Sequence, residues 1–177
     1  IDTIIKNISI NYNLVHRLDR ETSGLLIIAK NLKYTKIFGK LFKLQLIKKT
    51  YLAICDGKPK MNESFVNLKI FNDVKNGIDT KTFYKLISYR QKTSLIQFSP
   101  KTGKKHQLRI VAKNLGCPII GDNKYNHNKL TKNENLKLNA YKLEFNIENI
   151  SFNFISKLPI DFTNYLKKKQ INLKKNN

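Results

Sequence analysis

Two clusters of side chains in this 177-residue chain have the types and spacing to do chemistry. The first is His16-Arg17-Leu18-Asp19-Arg20-Glu21-Thr22-Ser23-Gly24. Asp19 stands between Arg17 and Arg20, and a guanidinium drawn close to it favours the anionic carboxylate. An ionised carboxylate on a firmly held loop is a usable nucleophile. The hydroxyls of Thr22 and Ser23 can bond back to the backbone and fix a turn, and Gly24 permits an unusual dihedral angle. On spacing alone, a surface turn held by a salt bridge is the simpler account of this cluster. The second is Thr102-Gly103-Lys104-Lys105-His106-Gln107-Leu108-Arg109. A helix N-terminus rich in donors is a natural receiver of a phosphate or an enolate-like oxygen. Arg109 lies off the apolar stripe of that helix, where it can reach a carboxylate on a neighbouring strand. A basic, solvated helix face explains the same residues equally well.

The elements that must position these clusters are legible in outline. Residues 14–18 read as a short strand entering the polar turn at 19–24, and residues 25–29 as a buried strand. Asn31 is placed to cap a helix over 32–45, where Tyr34, Ile37, Phe38, Leu41, Phe42 and Leu44 keep an approximate helical period. Strands are predicted at 50–55, 66–71, 82–89 and 94–99, the first ended by Asp56-Gly57. A turn at 100–103 leads into a helix over 105–115, with Leu108, Val111, Ala112 and Leu115 on one face and Gly116 at its end. Strands at 141–147 and 151–155, a helix from Ile160 and a solvated basic tail complete the chain. There is no internal repeat and no clear linker. The order predicts an α+β fold with a mostly antiparallel or mixed sheet and flanking helices.

Composition bounds the function. The formal net charge is +22, which invites a nucleic-acid partner. The chain also holds 30 Lys, 22 Asn and 22 Ile, residues with A/T-rich codons, so codon bias explains part of that charge. Only four arginines occur, Arg17, Arg20, Arg90 and Arg109, and their fixed two-point geometry makes their positions informative. Cys55 and Cys117 suit two free thiols in a reducing compartment, the cytoplasm or an organelle matrix. His16, His106 and His127 are too scattered to suggest a metal site. No apolar stretch approaches the roughly 20 residues of a membrane-spanning helix, so no membrane partner is expected.

The ordered motifs resemble the RluA-type pseudouridine synthases. His16-Arg17-Leu18-Asp19 followed by Thr22-Ser23-Gly24-Leu25 is similar to the family's signature, and Tyr51 in Lys49-Thr50-Tyr51-Leu52-Ala53-Ile54 to its aromatic strand motif. Residues 102–109, continued by Leu115-Gly116-Cys117-Pro118-Ile119-Ile120-Gly121-Asp122 and Tyr125, resemble the third block. Leu158-Pro159 with Asp161-Phe162 resembles the ending common in the ribosomal large-subunit, RluC-like branch. The resemblance implies a pseudouridine-synthase fold and isomerisation of uridine in structured RNA, above all large-subunit rRNA, with tRNA uridines also compatible. It implies a monomer working without cofactor or metal. By resemblance Asp19 is the catalytic carboxylate, Arg109 pairs with it, and Tyr51 packs on the uracil and assists removal of the C5 proton. Arg17, His16, Arg20, Lys104, Lys105 and His106 are implied in RNA binding, with Arg17 helping to occupy the space vacated by a flipped base and His16 supporting its loop.

The resemblance also has gaps. Residues 1–13 lack the family's early strand block with its Lys-Pro pair, and no S4-type domain precedes the motifs. Lys104-Lys105 stand where Arg-Thr is usual, Ile110-Val111 where Val-His is usual, and Cys117 where His is common. The expected organisation is an N-terminally incomplete catalytic domain over 1–166 and a basic tail over 167–177. The alternative is a non-catalytic basic RNA-binding or ribosome-assembly module that keeps the fold.

Overall fold

The computed structural model describes residues 7, 9–71, 76–128, 131 and 133–173. Three two-residue strands come first: β1 (Asn13–Leu14), β2 (Ser23–Gly24) and β3 (Ile28–Ala29). Helix α1 (Leu32–Lys43) follows, then β4 (Lys48–Asp56), β5 (Glu63–Ile70), β6 (Ile78–Arg90) and β7 (Thr93–Pro100). Helix α2 (Gln107–Asn114), strands β8 (Leu138–Ile147) and β9 (Ile150–Ile155) and helix α3 (Ile160–Lys168) complete the described elements. The main sheet runs β2-β8-β4-β7-β6-β5, with β9 also joined to β8, and β1 pairs separately with β3. Its pairings are antiparallel apart from the parallel contact of β2 with β8. The expected α+β architecture is what the chain adopts.

Strand β4 shows how sequence becomes layers. Successive side chains of a strand point to opposite faces. Ala53 and Cys55 join Leu108, Val111 and Ala112 of α2 in one core, with Tyr51 packed against it. Leu52 and Ile54 join Phe162, Tyr165 and Leu166 of α3 in a second. A third core gathers Phe38 of α1 with Ile47, Leu143 and Phe145. Cys55 and Cys117 are free and buried in the first core, and burial pushes the Cys117 thiol up to about 12. No described helix is long and apolar enough to cross a membrane.

The helices match their signals. Asn31 caps α1 by accepting the Tyr34 N–H at 3.1 Å, and Gly116 lies just beyond α2 with φ +74°. Three expectations need correction. Residues 14–18 hold strand structure only at Leu14. Residues 25–29 are not one buried strand: only Ile28–Ala29 is strand, Ile28 is exposed, and the segment is shared between two sheets. Leu25 N–H donates to the Ala140 carbonyl at 2.9 Å, while Ile27 N–H is taken by the His16 ring at 2.8 Å, so the backbone is satisfied without a continuous ladder. A tail starting at 167 would cut through α3. Ile171 is only 4% exposed and belongs to the second core, with Leu173 against it; residues 174–177 lie outside the described ones.

Candidate active site

The Asp19 turn is held at both ends by main-chain bonds. Thr22 N–H donates to the Asp19 carbonyl at 2.9 Å, closing the turn. Ser23 and Gly24 then pair with Asn139 and Ala140 of β8. Ser23 Oγ donates to the Leu138 carbonyl at 3.2 Å and accepts from Asn139 Nδ2 at 2.9 Å. Gly24 has φ +111°, and a Cβ there would sit 2.6 Å from the Ala140 nitrogen, so only glycine fits this approach. Ser23 therefore fixes the turn as expected. The Thr22 hydroxyl does not: it is buried and makes no hydrogen bond to a described residue.

Asp19 opens onto a cleft of about 300 Å³ that it shares with Arg17, Lys49, Tyr51, Lys104 and Lys105. Lys49 and Tyr51 are two apart on β4, so they project from the same face. Burial, reinforced by the charge of Asp19, pushes the Tyr51 phenol up to about 12. Arg17, Lys104 and Lys105 are exposed and give the cleft a basic rim. Asp19 and Tyr51 thus meet around one cavity, as the resemblance implies.

Arg109 is differently engaged from its expected pairing with Asp19. Its Nε donates to Asp122 Oδ2 at 2.8 Å and its Nη2 to Asp122 Oδ1 at 2.6 Å. Asp122 Oδ1 also accepts the N–H groups of Lys124 and Tyr125, each at 3.0 Å. Burial works against the Asp122 charge, yet the Arg109 bonds and these N–H groups outweigh it and hold the carboxyl below its usual range. The physical reason for the pairing is need: Asp122 is 1% exposed, and a buried carboxylate requires a two-point cation. Asp19 remains within electrostatic reach, adding to the rise in the Arg109 pKa that its Asp122 bonds chiefly cause. The guanidinium lies 5.3 Å from the Tyr125 ring, and the Tyr125 hydroxyl lies 3.1 Å from His106 Nδ1.

The residues expected to bind RNA divide. Arg17, Lys104 and Lys105 line the cleft, whereas Arg20 is exposed outside its lining. His16 turns inward: its Nε2 accepts the Ile27 N–H, and its ring stacks on Phe42 at 4.7 Å. Burial and the nearby Lys49 charge lower its pKa to about 4, which suits a neutral ring that accepts the Ile27 N–H. His106 has φ 57° and is half-buried against Tyr125 rather than open to solvent. Burial lowers its pKa, with Arg109, Lys124 and Lys105 adding to the effect and Asp19 opposing it.

Gln107, a member of the second cluster with no role assigned from the sequence, is central here. It is 3% exposed, its Oε1 accepting from Thr102 Oγ1 at 2.9 Å and from Lys104 N–H at 3.0 Å, while its Nε2 donates to Thr82 Oγ1 at 3.0 Å. It ties the basic rim to β6. A polar residue at the first position of a helix was the only signal, and it did not reveal an inward orientation. Among the described residues no three His, Cys, Asp or Glu side chains gather to hold a metal ion.

Residues 6–114 match the family model described as RNA pseudouridylate synthase, a span that includes Asp19, Tyr51 and Arg109. The chain is 46% identical to ribosomal large subunit pseudouridine synthase C of Rickettsia bellii, over 68% of this chain and 44% of that protein. It is 40% identical to the protein of the same name from Rickettsia felis, over 92% of this chain and 59% of that one. It thus spans about half the length of these curated relatives. In structure it resembles human RNA pseudouridylate synthase domain containing 4, with a TM-score of 0.86 at 24% identity, over 97% of this chain and 82% of that one, a likeness of fold.

Proposed function

This chain belongs to the RNA pseudouridylate synthase family, in its RluA-type branch, and we propose that it isomerises uridine to pseudouridine in structured RNA, specifically large-subunit rRNA. The observation that carries the reading is the shared cleft of Asp19 and Tyr51 under a basic rim. The target uridine leaves its stack at a cost of about a few kcal/mol and enters the cleft. Asp19, on its closed turn, acts on the ribose; the N1–C1′ bond breaks, the uracil turns, and C5 bonds to C1′. Tyr51 supplies a ring face for the uracil. With its phenol pushed up to about 12 it keeps its proton near neutral pH, so it acts there through ring and O–H rather than as a phenolate base. Arg109 works through Asp122, fixing the ground beneath the cleft and adding positive potential toward Asp19. The rim cations Arg17, Lys104 and Lys105 take the RNA phosphates, and affinity falls with salt accordingly.

The large-subunit assignment rests on the Rickettsia relatives. The test is tritium release from large-subunit rRNA transcribed with C5-labelled uridine. The wild-type chain releases tritium, and Asp19→Asn binds the RNA with no release. Full turnover by Asp19→Asn removes Asp19 from the mechanism, and RNA binding by the wild type without release makes the chain a binding module.

A further inference from the structure

Lys49 is a cation in an unusual position for a protein with so many. It lines the cleft beside Asp19 and Tyr51, half-buried, where most of the other lysines are solvated. Its chain reaches from β4 toward the rim: a Cβ on Gly103 would lie 3.8 Å from Lys49 Nζ. Among the described residues no ion pair or hydrogen bond engages its ammonium, unlike buried Lys137, which bonds Glu134 and Asp161 at 3.0 Å each. Burial alone lowers the Lys49 pKa, with no carboxylate holding it up. An unpaired, partly desolvated cation costs folding free energy, and such a cost is retained where a ligand supplies the missing anion.

Two sources of anionic oxygen reach an RNA-binding cleft, a phosphate and the base itself. Arg17, Lys104 and Lys105 are exposed at the mouth of the cleft, where the functional reading above gives them the phosphates. Lys49 instead shares the β4 face with Tyr51, the ring on which the uracil is proposed to lie. When N1–C1′ breaks, its electron pair passes to the uracil ring and spreads onto the carbonyl oxygens. When C5 bonds to C1′, that pair is used, the C5 proton leaves, and N1 gains a proton, so atoms and charge balance over the isomerisation.

We propose that Lys49 is a catalytic residue whose ammonium donates a hydrogen bond to a carbonyl oxygen of the departing uracil, stabilising the anion formed when the glycosidic bond breaks. The inference rests on the pseudouridine-synthase reading above. A donor placed where charge develops is worth more to the transition state than to the bound substrate.

The experiment compares wild type, Lys49→Met, Lys49→Gln and Lys49→Arg by single-turnover tritium release from C5-labelled large-subunit rRNA, with filter binding of the same RNA and thermal melting. Both neutral variants are expected to slow release about a hundredfold at saturating protein, with affinity within about threefold of wild type. Lys49→Arg recovers part of the rate, and Lys49→Met melts at or above the wild-type temperature because an unpaired ammonium has gone. Unchanged rates overturn the inference. So does a loss of affinity with a normal rate at saturation, which makes Lys49 a phosphate contact. Failure of both neutral variants to fold assigns Lys49 a structural role and overturns it too. A wild-type chain that releases no tritium overturns the functional reading itself, and this inference with it.

Discussion

Arg109 and Asp122 share two hydrogen bonds, at 2.8 and 2.6 Å, in an interior where their side chains are 7% and 0% exposed. The pair joins α2 to the turn carrying Lys124 and Tyr125, and through Tyr125 it touches His106 at the start of that helix. Asp122→Ala strands a buried guanidinium and is expected to cost about 3–5 kcal/mol of stability. Arg109→Lys keeps the charge, loses the fork and costs less. Urea unfolding of the two variants checks the order; equal and negligible losses would show that the pair holds nothing together.

Gln107→Leu keeps much of the side-chain volume and removes three hydrogen bonds. It releases the Lys104 N–H and leaves the Thr82 hydroxyl, on a residue 0% exposed, without its donor. The expected cost is about 1–3 kcal/mol, with weaker RNA binding as the basic rim loosens. Hydrogen exchange at the Lys104 amide reads the change directly: its protection falls in the variant while that of the β7 core amides stays.

His16 makes stability depend on pH in a defined window. Its ring nitrogen must be unprotonated to accept the Ile27 N–H, and its pKa in the folded chain is about 4 against 6.5 for a free histidine. Between those values the unfolded chain binds a proton that the folded one does not. The contribution is therefore complete above pH 6.5 and lost as pH falls toward 4. The melting temperature of the wild type should drop across that interval, and His16→Asn should flatten the drop. The carboxyl of Asp122, held below its usual range, adds its own loss as the unfolded carboxyl takes up a proton, at the acid end of this window and below it, so the His16→Asn comparison is what isolates the histidine.

Tyr51→Phe separates the ring from its hydroxyl. RNA binding should stay close to wild type because the ring face remains, whereas tritium release from C5 slows by about a hundredfold, the lower end of a general acid–base contribution. Tyr51→Ala should lose both. A Phe variant with wild-type release would confine Tyr51 to packing.

What the sequence disclosed depended on how local the cause was. Helices α1 and α2 were legible because their apolar period, the Asn31 cap and Gly116 all lie within a few residues of each other. Strands β4 to β7 were legible from alternation and turn residues. The apolar run at 25–29 misled because its partners are remote: β8 takes one end, β1 the other, and a histidine ring the middle. In the site, Asp19 and Tyr51, singled out by motif order, line one cleft. The partner of Arg109 was not legible, since spacing does not say which of two carboxylates is buried. Gln107 and Lys49 stand within the motifs but take no role from them, because their importance lies in orientation and missing partners, which residue type does not carry.

The parallel contact of β2 with β8 has a consequence for how the site is born. Ser23 bonds residues 115 and 116 positions further along the chain, and Gly24 packs against Ala140. The Asp19 turn therefore gains its sheet anchorage only after residues 138–140 have left the ribosome. Forming it closes a very long loop, an entropically late step in folding. A nascent chain stalled at residue 114, the end of the family match, would carry Asp19, Tyr51 and Arg109 with the turn still untethered. The turn that carries Asp19 is thus tied to the sheet late in synthesis, after most of the chain has been made.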